Sequence, residues 1–241
     1  MKRTRILQLV LITVSLILII APDTPLMATA EVLNDKEVDA KQFNAKQHYG
    51  DFEPYIDTQT MELHYTKYYK NAQKHLTKIC NYYPQLQHVT LKELLTQNHD
   101  IPKPVQTTLK KVAGDVYNHT FFFETLSSQS TKQPLPNLRQ AITKTYGSFK
   151  IFKSEYIETA INQNMYGWIW LVVNEKDELE IIYTNHYDTP NLKTDTPLIV
   201  ADTWIHSYYL TYENSLENYL SNIFEIIDWE RAENLYLETI S

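Results

Sequence analysis

The stretch Ala201-Asp-Thr-Trp-Ile-His-Ser-Tyr-Tyr-Leu210 sets an aspartate and a histidine four residues apart, with a tryptophan between them and a tyrosine pair after them. Asp202 and His206 face one point in space if the backbone turns once between them. A carboxylate oxygen and an imidazole nitrogen aimed at one point supply half of a site for a borderline divalent or trivalent metal. The alternative is an ordinary strand-to-helix junction, with Asp202 as a cap and His206 packed behind it. For the pair alone that alternative is favoured, because the spacing is frequent by chance.

Two histidines upstream, His64 and His119, each fall in the middle of a predicted helix. The first helix opens at Asp57, after which apolar and aromatic side chains recur at three- and four-residue steps. The second runs over residues 103–126, with His119 close to three consecutive phenylalanines. A lone histidine on such a face is more often a satisfied core residue than a ligand. Two of them, on helices expected to pair as an antiparallel hairpin, favour a metal site shared with the aspartate and histidine downstream.

The order of the predicted elements indicates an α+β fold: an N-terminal antiparallel helical hairpin, then an α/β domain with a three-stranded antiparallel sheet. The polar stretch at residues 127–137 contains two prolines and is the clearest linker, so the domains are predicted to span residues 47–128 and 129–241. A Glu-Lys-Asp-Glu turn joins the first two strands as a hairpin. Strands are predicted at residues 168–173, 179–184 and 198–202, and further helices at 91–95, 138–145, 149–164, 219–227 and 230–240.

Composition and charge limit the classes of function. The chain has 241 residues, of which 43% are hydrophobic, enough for one or two domains with real cores. Its formal charge of −7 and the lack of a basic patch argue against nucleic acid as a partner. Cys80 is the only cysteine, so no intramolecular disulfide is possible, and we expect it to be a small buried apolar residue.

The N-terminus predicts an exported protein. Three basic residues precede an apolar run over residues 6–21, and Ala28-Thr-Ala30 offers a cleavage signal. We therefore expect residues 1–30 to be a signal peptide and 31–46 a polar lead-in, with the mature protein periplasmic or secreted. The alternative is an uncleaved membrane anchor, although the run is shorter than the ~20 residues that a comfortable span needs.

Four segments carry the candidate residues: Met61-Glu-Leu-His-Tyr-Thr-Lys-Tyr-Tyr69, Asn118-His-Thr-Phe-Phe122, Gly167-Trp-Ile-Trp-Leu171 and Asp202-Thr-Trp-Ile-His-Ser-Tyr-Tyr-Leu210. These segments occur in the order found in the iron/manganese superoxide dismutases, and the stretches at residues 53–57 and 227–229 fit the same pattern. The chain therefore resembles that family over residues 47–240.

The resemblance implies one Fe or Mn ion per subunit, held by His64, His119, Asp202 and His206 with a solvent molecule as fifth ligand. It also implies that Trp168 belongs to an aromatic shell that keeps the site small and dry. The implied reaction converts superoxide to dioxygen and hydrogen peroxide. Structural zinc fits this ligand set less well, because such sites normally include cysteine.

The chain departs from the family around the implied site. The gateway tyrosine eight residues after the first ligand is Ala72, and the histidine usual four residues after that ligand is Tyr68. Asp115 stands four residues before the second ligand, where iron-type enzymes have a glutamine, and is expected to favour the oxidised ion. Manganese-type enzymes bring that glutamine from the sheet, where this chain offers His186 or Tyr187. We therefore predict Tyr68, Asp115 and His186 as site residues, and expect metal binding to be retained better than fast proton delivery.

The subunit interface and the surface charge are also expected to differ. Ile205 replaces a glutamate that in the family bridges to the ligand histidine of the partner, so the implied homodimer is expected to have an altered interface or none. An anionic substrate would be steered only by local lysines such as Lys67 or Lys70. Ala72, Asp115 and Ile205 motivate a second hypothesis, an exported metal-binding or interaction protein of this fold with little dismutase activity. Metal analysis together with a superoxide-consumption assay separates the two hypotheses.

Overall fold

A computed structural model describes residues 49–240 as a mixture of helices and one three-stranded antiparallel sheet, which is the predicted α+β class. The predicted signal peptide at residues 1–30 and the lead-in at 31–46 lie outside the described residues. Among residues 49–240, no helix combines the length and the apolar character needed to cross a membrane.

The first long helical segment changes its winding at a predicted metal ligand. It begins as α1 (Thr58–Leu63), continues as a π-helix over His64–Tyr69 and ends as α2 (Lys70–Tyr82). The carboxylate of Asp57 accepts a backbone N–H of the first turn at 2.9 Å, which satisfies an amide that has no partner within the helix. Single π-helical turns inside α-helices are frequent at functional sites.

The second long helix packs against the first and completes the predicted helical hairpin. A short helix, α3 (Leu91–Thr96), precedes it, and α4 runs over Lys103–Thr125 and packs against α2. The inner face of α4 is fully buried at Leu109, Val116 and Phe122, as expected from their spacing. The Cys80 thiol is free and buried in the same core.

The sheet places the last residue of one strand beside the second long helix. Its strands are β1 (Gly167–Val173), β2 (Leu179–Asn185) and β3 (Thr196–Asp202), in the order β2-β1-β3, with both pairings antiparallel. All residues of the central strand β1 are buried, which explains its continuous run of apolar side chains. Because β3 packs against α4, Asp202 at the end of β3 comes close to the helix that carries His119.

The remaining helices differ from the prediction at several places: the helix Tyr209–Tyr212 was not predicted, and several boundaries shift. Pro136 already begins a helix inside the predicted linker, since proline is well tolerated at the first helical position. The helix predicted at residues 219–227 ends at Ile223, because the next residues pair with the end of α4: the Ser127 N–H donates to the Ile226 carbonyl at 2.7 Å. These helices are α5 (Pro136–Tyr146), α6 (Phe149–Ile161), α7 (Tyr209–Tyr212), α8 (Leu216–Ile223) and α9 (Trp229–Ile240).

Candidate metal centre

His64 lies at the start of the π-helical turn and is enclosed by aromatic rings. Its side chain is buried, and its ring stacks on Phe122 with 5.0 Å between centroids and meets Phe123 edge-on at 5.2 Å. Neither of its ring nitrogens has a hydrogen-bond partner among the described residues. A buried polar atom without a hydrogen-bond partner costs free energy, so the position of this imidazole suggests that it binds a ligand from outside the protein chain.

His119 is held in one orientation by its own helix. Its Nδ1 lies 2.8 Å from the carbonyl oxygen of Asp115, one turn earlier in α4. A carbonyl oxygen can only accept, so Nδ1 carries the proton and Nε2 keeps its lone pair. That Nε2 is buried and unpartnered, while the edge of the ring meets Trp168 at 5.0 Å. The fixed tautomer leaves His119 ready to bind a cation through Nε2.

Asp202 presents its two carboxylate oxygens to different neighbours. Oδ1 accepts the backbone N–H of Trp204 at 2.8 Å, which fixes the carboxylate at the end of β3. Oδ2 accepts the Ser207 hydroxyl at 2.5 Å and also lies 3.2 Å from Nε2 of both His64 and His206. The carboxylate is fully buried, and Oδ2 is therefore the oxygen that faces the histidines.

His206 lies in a 3-10 turn, Ile205–Ser207, directly after β3. The turn brings its Nε2 over Asp202, as the four-residue spacing predicted. On its other side the imidazole is covered by Tyr68, whose ring is nearly parallel to it at 3.8 Å. Nε2 of His206 is again buried and without a hydrogen-bond partner.

The four predicted ligands converge on one point. One ligand atom from each of His64, His119, Asp202 and His206 lies within 4.8 Å of the others. Three imidazole nitrogens around a buried carboxylate oxygen form a ligand set that suits an iron or manganese ion. Hydrogen bonding within the protein leaves these three nitrogens without partners. The geometry therefore fits a metal ion held by three histidines and one aspartate.

The electrostatics of the metal-free site favour the metal-binding protonation state at His64 and Asp202, and the protonated form at His119. Burial lowers the pKa of His64 to about 3, so this imidazole stays neutral near neutral pH. Burial also works to raise the pKa of the Asp202 carboxyl, but the imidazoles of His206 and His64, each 3.2 Å away, outweigh it and hold that pKa well below its usual range. For His119, burial is outweighed by the Asp115 and Asp202 carboxylates, which raise its pKa. A neutral imidazole and an ionised carboxylate are the forms that coordinate a metal.

The four other predicted site residues surround this cluster at different distances. Tyr68 lies at its mouth, with 46% of its surface exposed. Trp168 is buried against His119 and donates its indole N–H to the His186 carbonyl at 2.9 Å. His186 has a left-handed backbone (φ 50°), and its ring lies 6.0 Å from that of Trp204. His186 thus contributes its carbonyl to the wall of the site, while its ring contacts Trp204.

Asp115, the fourth predicted site residue, lies behind a ligand histidine. Its Oδ1 lies 3.0 Å from Nδ1 of His119, the nitrogen on the opposite side of the ring from the free Nε2. The helix explains this position, because residues four apart lie on the same face one above the other. Asp115 therefore contacts the centre through His119.

Two residues near the centre were not singled out by the sequence. Ser207, which bonds Asp202, belongs to no recognisable motif and becomes evident only when the 3-10 turn is formed. Gly114 lies against the loop after β2, and a Cβ at this position would come 2.0 Å from the Tyr187 carbonyl oxygen. A glycine inside a long helix was a usable signal, because it lowers helix stability unless packing requires it.

Comparison with known proteins gives the same assignment for both halves of the chain. Residues 44–127 match the alpha-hairpin domain of the iron/manganese superoxide dismutases, and residues 134–235 match the C-terminal domain of that family. A manganese superoxide dismutase of Thermus thermophilus is 31% identical over 188 residues, which cover 78% of this chain and 92% of that protein.

Two manganese superoxide dismutases of Leptolyngbya boryana are also similar. The one numbered 3 is 30% identical over 174 residues, covering 72% of this chain and 73% of the relative, and the one numbered 1 is 30% identical over 192 residues, covering 79% and 77%. The two domain matches, these relatives and the four converging side chains lead to one conclusion: the chain belongs to the iron/manganese superoxide dismutase family.

Proposed function

We propose that the protein is a superoxide dismutase that uses one iron or manganese ion per subunit. The observation that carries the proposal is the convergence of His64, His119, Asp202 and His206, with three imidazole nitrogens left unpartnered in a buried site. Bound iron or manganese supplies one-electron chemistry, by which one superoxide is oxidised to dioxygen and a second, with two protons, is reduced to hydrogen peroxide. The protein has to hold the ion, exclude other reactants and deliver the protons.

The walls of the site restrict access to small molecules. Trp168 and Phe122 are buried on the inner side of the ligand histidines, and the ring of Tyr68 covers His206 at the mouth. Aromatic walls lower the local dielectric constant and keep bulk water away from the ligands. Superoxide is small enough to enter such a site, whereas larger reductants are kept out.

Tyr68 is the side chain that we propose to serve proton delivery at the mouth. Ala72, at the position of the family's gateway tyrosine, is buried and carries no ionisable group. Tyr68 lies one helical turn earlier, contacts a ligand ring and is half-exposed, so its hydroxyl is available to exchange protons with solvent. Lys67 and Lys70 are exposed on the same turn and supply positive charge for an anionic substrate in a chain of net charge −7.

We further propose that two copies of the protein associate through the surface beside the centre. Ile205, Tyr209 and Leu210 are large apolar side chains that are each about half exposed, and they follow directly on the ligand aspartate. Sedimentation velocity tests the dimer, and a monomer at micromolar concentration would contradict it.

We also propose that the protein is exported. Amino-terminal sequencing of protein from the native host tests cleavage near Ala30.

Metal analysis and activity of one matched pair of variants test the enzyme proposal. We expect purified protein to contain close to one iron or manganese per chain and to consume superoxide. His119→Ala removes a ligand and should lose both, whereas His75→Ala, an exposed histidine on α2, should lose neither. Stoichiometric metal with activity at background in the wild type would support the metal-binding alternative, and unchanged metal content in His119→Ala would contradict the ligand assignment.

A further inference from the structure

Two polar side chains contact the ligands from outside the centre, and their chemical characters are opposite. The Ser207 hydroxyl donates a hydrogen bond to Oδ2 of Asp202 at 2.5 Å. The carboxylate of Asp115 lies 3.0 Å from Nδ1 of His119. The first contact gives a proton donor to an anionic ligand, and the second gives a negative charge to a neutral ligand.

We propose that Ser207 and Asp115 are positioning residues that shift the reduction potential of the bound ion in opposite directions. The inference rests on the proposed function, because both side chains act on the same centre. It goes beyond that function by assigning the tuning of the potential to the far side of two ligands.

Ser207 acts on the oxygen that faces the metal position. Oδ2 of Asp202 is the oxygen that lies 3.2 Å from Nε2 of two histidines, whereas Oδ1 is taken by the backbone of Trp204. A hydroxyl that donates to Oδ2 withdraws electron density from it, so the carboxylate stabilises a trivalent ion less than it otherwise would. Because Ser207 is buried, water does not replace this contact. The hydroxyl therefore raises the potential and favours the reduced, divalent ion.

Asp115 acts in the other direction. Its carboxylate lies beside the N–H of His119, and the Asp115 carbonyl accepts from the same N–H at 2.8 Å. Two acceptors on this N–H, one of them negatively charged, increase the basicity of Nε2 and add negative charge close to the ion. Both effects favour the oxidised, trivalent ion and lower the potential. Nδ1 of His64 has no such partner among the described residues, so His119 is the imidazole through which this effect is transmitted.

Redox titration of the iron-loaded protein, followed by visible absorption, tests the two directions. Ser207→Ala should lower the midpoint potential and Asp115→Asn should raise it, each by the equivalent of about tenfold in the ratio of ferric to ferrous affinity. The double variant should return toward the wild-type value. Asp188→Asn is the matched control, because it also removes one negative charge, from the loop after β2 that contacts the same helix through the Asp188 carbonyl and Asn118. Its potential should stay at the wild-type value.

The directions of the shifts in midpoint potential distinguish this proposal from a purely structural role of the two residues. Shifts of both single variants in the same direction, no shift in either, or a shift in Asp188→Asn as large as in Asp115→Asn would overturn it. If Ser207→Ala fails to retain iron, Ser207→Cys keeps the size of the side chain with a weaker donor and should also lower the potential. A wild-type protein that takes up no iron contradicts the proposed function, whereas iron-loaded protein with the wrong signs contradicts only this inference.

Discussion

At the scale of single residues, the imidazole of His64 couples the stability of the metal-free protein to pH. Its pKa is about 3 in the folded protein, against an ordinary value of 6.5, because burial opposes its charge. Between these values the unfolded chain binds a proton that the folded chain does not bind. The free energy of unfolding is therefore not reduced by this group above pH 6.5, and it decreases as the pH falls from 6.5 toward 3. The pKa of His119 is raised, so protonation of His119 stabilises the folded protein as the pH falls. The two histidines therefore have opposite effects on the pH dependence of stability.

We predict that His64→Gln removes part of the acid sensitivity of the metal-free protein. Each proton taken up only by the unfolded state lowers the free energy of unfolding by up to about 1.4 kcal/mol per pH unit. Urea unfolding of metal-free wild type and His64→Gln at pH 6.5, 5.5 and 4.5 measures the difference in slope. The wild type should lose stability more steeply, and parallel curves would show that His64 is not held neutral.

At the scale of elements, the loop after β2 is fixed to α4 by a close backbone contact. Gly114 allows the Tyr187 carbonyl to approach the helix, and Asn118 donates from Nδ2 to the Asp188 carbonyl at 3.1 Å. The same loop contains His186, whose carbonyl accepts the indole N–H of Trp168. These contacts therefore hold the loop that forms a wall of the site against the helix that carries a ligand.

Gly114→Ala is predicted to destabilise the protein, although helix propensity alone predicts the reverse. Alanine in place of glycine normally stabilises a helix interior by about 1 kcal/mol. Here the new methyl group would lie 2.0 Å from a backbone oxygen, so the loop has to shift, at an expected cost of about 1–3 kcal/mol. Thermal unfolding measures the sign, and an increase in Tm would mean that the loop is not held as the structure shows. Loss of the Trp168 contact should also change tryptophan fluorescence.

The sequence was most informative where a pattern is local. The helix start at Asp57, the spacing of apolar residues on α4 and the uniformly apolar β1 are each determined by neighbours in the chain. Residues 224–227 were misassigned as helix, because Ile226 and Ile227 are buried for a reason that periodicity does not encode: their backbone pairs with the end of α4. The π-helical turn had no signal in the sequence either.

The ligands were predictable for a different reason from the residues that tune them. Ligands must combine a specific side chain with a specific place in the family pattern, so His64, His119, Asp202 and His206 stand out in one sequence. Ser207 and the orientation of Asp115 depend on backbone geometry that forms only with the fold. The boundary between the two predicted domains and the export signal remain predictions.

At the scale of the whole molecule, the centre joins parts of the chain that are far apart in sequence. Its ligands come from the first helical segment, from α4, from the end of β3 and from the turn that follows. The aromatic and aliphatic core around them is continuous without the ion, so the metal-free protein is expected to fold. The ion adds stability by binding the folded state and cross-linking these elements, while the unfolded chain offers no preformed site.

Removal of the metal is therefore predicted to lower Tm without unfolding the protein at 25 °C. A ligand present at a thousand times its Kd stabilises the folded state by about 4 kcal/mol, which corresponds to a shift on the order of 10 °C for a domain of this size. Differential scanning calorimetry of metal-loaded and chelator-treated protein measures the shift, and circular dichroism checks that the helices persist. His119→Ala provides the control, because it lacks one of the four ligands and its Tm should respond little to metal. Equal Tm values for loaded and metal-free wild type would mean that the four side chains do not close around an ion when the protein folds.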